Sequence, residues 1–237
     1  MRVCALIMKI PDKATLAAVL PYAVWMALLC GLEATAVNYA VRSMLTTVAL
    51  SAALLFGRSA FRPWHAERNG GPVQTALWGV LVGAVVCFLW IWPERFAWYR
   101  DFNILGFLGF GSPSVDEPSP YDPAVCGWTL TWARLAGSAF VIAPAEELFF
   151  RSFLYRWLQK GDWTKVALNR FDLSSFVWMV ALFALGHHTR LAAGAMAGVA
   201  YGLLAIRKGL GAAVVAHMTT NLVLGLHVIR NGLWGFW

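Results

Sequence analysis

Residues 141–158 read VIAPAEELFFRSFLYRWL, and the fold turns on how this run is understood. It is apolar enough to sit in a bilayer, yet it holds two adjacent carboxylates, Glu146 and Glu147, and a guanidinium, Arg151, four positions after the second. Ionisable groups within a membrane segment are costly and mark function by default. The remainder of the chain says which solvent surrounds them.

With 59% hydrophobic and 13% charged residues and a mean hydropathy of +0.61, a chain of 237 residues is too apolar for an ordinary soluble domain. Runs near the ~20 residues that cross a bilayer fall at Ala14–Leu32, Val37–Phe56, Val73–Trp92, Trp128–Leu158, Leu173–His188, Leu191–Ile206 and Gly211–Val228. An eighth piece, Phe102–Gly111, is too short and glycine-rich to cross alone and is expected to be re-entrant or interfacial. The fold class is therefore all-α, a polytopic transmembrane bundle of seven to eight spans. Residues 1–127 supply N-terminal spans and a Pro-rich loop, and residues 128–237 a membrane core that holds both glutamates. The basic start, Met1–Lys13, looks like that of a signal peptide, but the apolar run behind it exceeds the ~7–15 residues of a cleavable core, so a retained first span is expected. Cys4, Cys30, Cys87 and Cys126 have no ligand-like spacing and read as small apolar fillers.

The net charge of +7 does not make a nucleic-acid footprint, because its cations are scattered between apolar runs. The expected partner is the lipid bilayer. Arg2, Lys9 and Lys13, then Arg58, Arg62 and Arg68, then Arg156, Lys160, Lys165 and Arg170, then Arg207 and Lys208 alternate with poorer or acidic connections. The positive-inside rule then puts the N-terminus in the cytoplasm and the C-terminus outside. The outer connection carries Asp101, Asp116, Glu117 and Asp122; its stretch Ser112–Pro123 reads equally as a solvated turn-rich loop or a substrate gate. Trp64, Trp90, Trp92, Trp98, Trp128, Trp157, Trp163 and Trp234 flank spans as an interfacial belt does. Arg42 and Arg134, near span ends, are expected to snorkel to the headgroups. Gly194, Gly198 and Gly202, like Gly79 and Gly83, recur every fourth residue and predict close helix packing within the bundle.

Pro144 either kinks the fourth span or starts a new helix, which would put both glutamates in a first turn. Glu147 and Arg151, spaced i,i+4 with the acid first, have the favourable order for an ion pair. Glu146 is turned about 100° away and is free to face a cavity. A carboxyl without a charge partner at low dielectric exchanges protons near neutral pH, the property of a general base. His217 and Asn221, also i,i+4, share a face, and Asn offers N–H donors that suit an oxyanion. Phe183 and His187 repeat that spacing, with His188 turned away and His227 outside any motif.

In order, Glu146-Glu147-x-x-x-Arg151, Phe183-x-x-x-His187 and His217-x-x-x-Asn221 resemble the three motifs of the CAAX-protease and bacteriocin-processing family of intramembrane proteases, which includes the Rce1-type prenyl endopeptidases. The resemblance covers about Ala139 to Val228. It implies that Glu146 activates water, that His187, His217 and Asn221 line the same site, and that Glu147, Arg151 and Phe183 support it. Ser152 departs from the Gly that many relatives carry, with an expected effect on helix packing rather than chemistry. Two His, two Glu and an Asn keep zinc possible, with Glu146, His187 and His217 as ligands, but no HExxH is present; the resemblance implies a glutamate mechanism without a cofactor. For His187 to reach Glu146, the fourth span has to continue to about Trp157.

The residues leave three functions open. An intramembrane endopeptidase leads, acting on a CAAX-type prenylated peptide, a bacteriocin leader or a C-terminal sorting signal, in a bacterial inner membrane. A non-catalytic bacteriocin-immunity or scaffold protein is the alternative. A proton-coupled transporter predicts pseudo-symmetric halves, and no internal repeat is visible.

Overall fold

A computed structural model describes residues 12–57, 71–96, 99 and 119–237. Several expectations fall outside these residues: Cys4, the basic residues Arg2, Lys9, Arg58, Arg62 and Arg68, the belt residues Trp64 and Trp98, Asp101, Phe102–Gly111, and the loop from Ser112 through Glu117. The described residues form helices α1 (Lys13–Gly31), α2 (Ala36–Phe56), α3 (Pro72–Ile91), α4 (Pro123–Gln159), α5 (Leu173–Gly186), α6 (Leu191–Lys208) and α7 (Leu210–Asn231), with short 3₁₀ turns between some of them. They coincide with the seven expected spans, and the bundle is all-α.

The helix starts follow from local chemistry. Asp12, Thr35, Asp122 and Asp172 precede α1, α2, α4 and α5, and each side chain accepts a bond from a backbone N–H of the first turn, satisfying a donor that the helix leaves unpaired. Pro72 and Pro123 occupy the first turns of α3 and α4, where a missing N–H is harmless. At Asp172 the hydroxyl and N–H of Ser175 hold the carboxyl below its usual range.

All these helices except α5 are long and apolar enough to cross a membrane. α5 has 14 residues, about 21 Å of rise, short of the ~30 Å hydrocarbon core. It stops at Gly186, so His187 is its cap rather than a helical residue, with φ −111° and ψ 39°. α2 and α3 turn Leu54, Leu55, Phe56, Val73 and Leu77 outward, as a surface facing lipid does.

α4 departs most from expectation. Gly127, at φ 78°, separates its first turn from the span that begins at Trp128. Beyond it, no new helix starts at Pro144: residues Ala143 through Glu147 form a short α segment between two π-helical stretches, Gly137–Ile142 and Leu148–Leu154. Wider π turns let a coil pass a residue that breaks the ordinary ladder. The glutamates are therefore mid-helix, and α4 runs past Trp157 as their meeting with His187 requires.

α7 packs along α3, α6 and α4. Gly83 lies against the Ala216 carbonyl, where any Cβ would collide with backbone. A Cβ on Gly194 of α6 would stand 2.7 Å from the Cβ of His187, so the glycine stripe seats the end of α5.

Three basic or aromatic readings are corrected. Arg156 does not belong to the exposed cationic loop: it is buried, donates through Nε to the Ser152 carbonyl and through Nη2 to the Ser152 hydroxyl at 2.9 Å. Trp163 is buried and donates to the Thr15 hydroxyl at 2.9 Å, pinning the 160–172 connection to α1 rather than lying in a belt. Arg42 and Arg134 do not snorkel. Arg42 is 2% exposed, against the rings of Trp25 and Tyr39, and Arg134 donates to the Tyr39 hydroxyl at 2.9 Å. Each had an aromatic partner inside the bundle that span position alone does not reveal.

Candidate active site

Arg134, Ser138, Ile142 and Glu146, each four residues after the last, run along one wall of a cavity of about 200 Å³. That spacing keeps side chains on one helix face. His217 and Asn221 from α7 and His187 from the end of α5 reach the same space. All four residues singled out from the sequence, Glu146, His187, His217 and Asn221, line this cavity.

Behind Glu146 sits a compensated charge cluster. Glu147, 0% exposed, lies 3.0 Å from Arg151 Nη1 and accepts from His217 Nδ1 at 2.9 Å. The guanidinium lies 4.1 Å from the Phe183 ring centroid, and its Nη2 donates to the Gly198 carbonyl at 3.4 Å. Thus Phe183 supports Arg151 as well as the histidine one turn on. The expected Glu147–Arg151 pair forms, with an addition: the same carboxylate orients the imidazole. A proton on His217 Nδ1 leaves Nε2 facing Glu146, whose Oε2 is 3.7 Å away.

His217 is fixed on its other sides by Tyr201, whose ring stacks 4.9 Å away at 23°. The Tyr201 hydroxyl donates to Thr220 at 2.6 Å, and Thr220 donates to the Gly83 carbonyl at 2.9 Å. His187 bonds through Nδ1 to the Phe183 carbonyl at 2.9 Å, and its ring lies 4.7 Å from that of Phe183. A carbonyl only accepts, so Nδ1 carries the proton and Nε2 holds the lone pair. Asn221 donates one N–H to the Ser138 carbonyl at 2.9 Å. This fixes the amide and leaves its second N–H and its oxygen for other partners.

Ser138, Tyr201 and Thr220 had not been anticipated. Thr220 follows His217 by three positions and Tyr201 follows Gly198 by three, so helical spacing held the signal in both cases. Arg134 and Ser138 extend the Glu146 face toward the N-terminus of α4. His188 is exposed, and His227 contacts Asn231 at the end of α7, away from the cavity wall. Among the described residues no three His, Cys, Asp or Glu side chains stand together as a metal site. Cys30, Cys87 and Cys126 are free thiols.

Residues 127–223 match the family described as type II CAAX prenyl endopeptidase Rce1-like. This segment is therefore similar to a family of intramembrane proteases. No curated protein and no solved structure matches the chain. The matched segment contains every candidate site residue from Arg134 to Asn221 and ends before the last turns of α7.

Proposed function

We propose that this protein is an intramembrane endopeptidase in which Glu146 activates water, without a metal, to cleave a peptide bond of a membrane-associated substrate. The observation that carries the reading is the contact order Arg151, Glu147, His217, Glu146, which ends at a carboxylate in the cavity. Arg151 keeps Glu147 ionised. Glu147 holds the His217 proton on Nδ1, so that Nε2 is directed at the reacting space. Glu146 takes a proton from water, and the hydroxide attacks the scissile carbonyl. His217 Nε2, 3.7 Å from Glu146, relays that proton to the leaving amine. The second N–H of Asn221 stabilises the oxyanion, for which it is pre-oriented by Ser138. His187 borders the attack site as a neutral imidazole with Nε2 as an acceptor. The narrow cavity limits competing water.

A prenylated C-terminal peptide is the substrate class that the family match favours. The positive-inside pattern supports a cytoplasmic N-terminus, and Lys160 and Lys165 in the α4–α5 connection should then label from the cytoplasm. The decisive experiment compares membrane proteomes of cells carrying the intact protein and its Glu146→Ala variant. A set of peptide ends present only with the intact protein is expected, and chelator treatment should leave their appearance unchanged. Identical ends with both proteins would refute the mechanism and favour a scaffold role.

A further inference from the structure

Arg134 stands on the same cavity wall as Glu146 but in a different electrostatic setting. Its Nη1 donates to the Tyr39 hydroxyl, its Nε has no partner, and its guanidinium carbon lies 4.3, 4.9 and 5.5 Å from the ring centroids of Tyr39, Tyr121 and Trp237. Among the described residues no carboxylate pairs with it; the ion pairs there involve Arg151, Lys165, Arg190 and His217. Arg42, on the same Tyr39 ring at 5.6 Å, is buried and also unpaired, with Nε and Nη1 lacking partners. Among the described residues, two cations thus flank one ring without an anion. Ring faces return only part of what removing a cation from water costs. The cavity at Arg134 is poised for an anionic group from outside the protein.

We propose that Arg134 is a specificity-determining residue that binds a carboxylate of the substrate, namely its free C-terminus, and so sets where the chain is cut. The assignment rests on the peptidase reading above. A peptide lying along this wall between Glu146 and Arg134 has one carboxylate that every sequence supplies, the one at its C-terminal end. The two residues are twelve positions apart on a continuous helical span, at most roughly 18 Å of rise, because the π-helical stretch Gly137–Ile142 lies between them. That whole rise equals about five extended residues, and the reach of the two side chains shortens the peptide needed. Cleavage at Glu146 with the C-terminus on Arg134 would therefore release a short C-terminal peptide of fixed length. The guanidinium fork matches a carboxylate in two parallel bonds, and the surrounding rings fix its plane before substrate arrives.

The test measures binding rather than turnover. A fluorescent farnesylated peptide with a free C-terminus, and the same peptide as a C-terminal amide, are titrated onto full-length Glu146→Gln protein in detergent. The acid should bind about tenfold more tightly than the amide, and adding Arg134→Gln should remove that preference. Arg134→Lys should restore part of it. A structural role for Arg134 would weaken both peptides alike and leave their ratio unchanged, so an unchanged ratio, or binding of neither peptide, overturns the assignment. An amide peptide bearing an Asp near its end identifies the other source of the same chemistry: if it binds as well as the acid, the anchor reads a side chain and the C-terminal assignment falls. Because turnover is already removed, a failure of the intact protein to cleave peptides would refute the peptidase reading without altering this ratio.

Discussion

Arg151 and Arg134 lie on one helix, within reach of one cavity, and are held in opposite ways. Arg151 has a carboxylate at 3.0 Å, a backbone carbonyl and an aromatic face, and it is closed off from solvent. Arg134 has a phenol at 2.9 Å and aromatic faces, and lines the cavity itself. The first arrangement is complete without ligand: its charges cancel within the protein, and its purpose is to hold Glu147 and His217 still. The second is incomplete, and the missing part is an anion. A buried cation with its own counterion is machinery, whereas a half-buried one that lines a cavity without a counterion is a candidate contact for something that binds.

The largest effects should come from the compensated end. Glu146→Ala removes the base and His217→Ala the relay, and each should lower turnover by about 10²–10⁴-fold while membrane insertion and detergent-extracted yield stay as in the intact protein. Quantifying a cleaved peptide end in membranes checks both. Retention of activity in either variant would mean that the carboxylate–imidazole contact is structural.

Stability next separates Arg151 from Arg42, the other cation on the Tyr39 ring. Glu147→Gln leaves the Arg151 charge buried without its partner, at a cost of roughly 3–5 kcal/mol, and frees the His217 ring as well. Arg42→Met removes a buried cation that has no counterion to abandon, so its thermal midpoint should match or exceed that of the intact protein. Thermal unfolding of the two purified variants by tryptophan fluorescence decides the matter. A similar loss in both would show that Arg42 has an anionic partner after all and would erase the contrast.

How much of this could be read from the chain depends on range. Glu147–Arg151 and His217–Asn221 were legible because i,i+4 spacing fixes a shared face before any tertiary contact forms, whereas His187 meets Phe183 from the helix cap, through its Nδ1 bond. The spans were legible because their apolar length has to match the bilayer. The bond from His217 to Glu147 joins residues 70 positions apart, and no local pattern specifies it. At Pro144 the new-helix alternative failed because a proline permits a kink, a new helix or a π turn, and the span continues through π-helical stretches on both sides of it. Arg42 and Arg134 were misread because an arginine near a span end looks the same whether it reaches for headgroups or for Tyr39. Arg156 failed similarly: its partner Ser152 was noticed as a packing residue, but not that it would draw the guanidinium inward.

Asn221→Ala comes after these in size. It should keep measurable activity, since loss of one oxyanion donor costs about 10²–10³-fold. A complete loss in peptide-end quantification would mean that Asn221 also holds the Ser138 wall in place, which thermal unfolding would register as a lowered midpoint.

A smaller effect is expected at Ser152, where stability and chemistry should part. Its hydroxyl accepts from Arg156 Nη2 at 2.9 Å on the side of α4 away from the cavity lining. Ser152→Gly removes a bond to a charged group, worth about 1.5–3 kcal/mol when buried, and adds a flexible residue to a helix interior, about 0.5–1 kcal/mol. The backbone carbonyl still accepts from Arg156 Nε, so the guanidinium keeps an anchor and the loss should fall toward the lower part of that range.

The smallest effect belongs to His188. It follows His187 directly, and a motif reading could not by itself assign the role to one rather than the other. His187 turns its ring onto Phe183 and into the cavity, fixed by its Nδ1 bond and by the close passage of Gly194. His188 begins the 3₁₀ turn that follows and is exposed. His188→Ala should leave the rate of peptide-end formation unchanged, whereas His187→Ala should lower it, because the lone pair on His187 Nε2 is then lost from the cavity. Equal losses in the two variants, measured at matched protein levels, would show that the turn after α5 matters as a unit and that the ring of His187 has no separate role in the site.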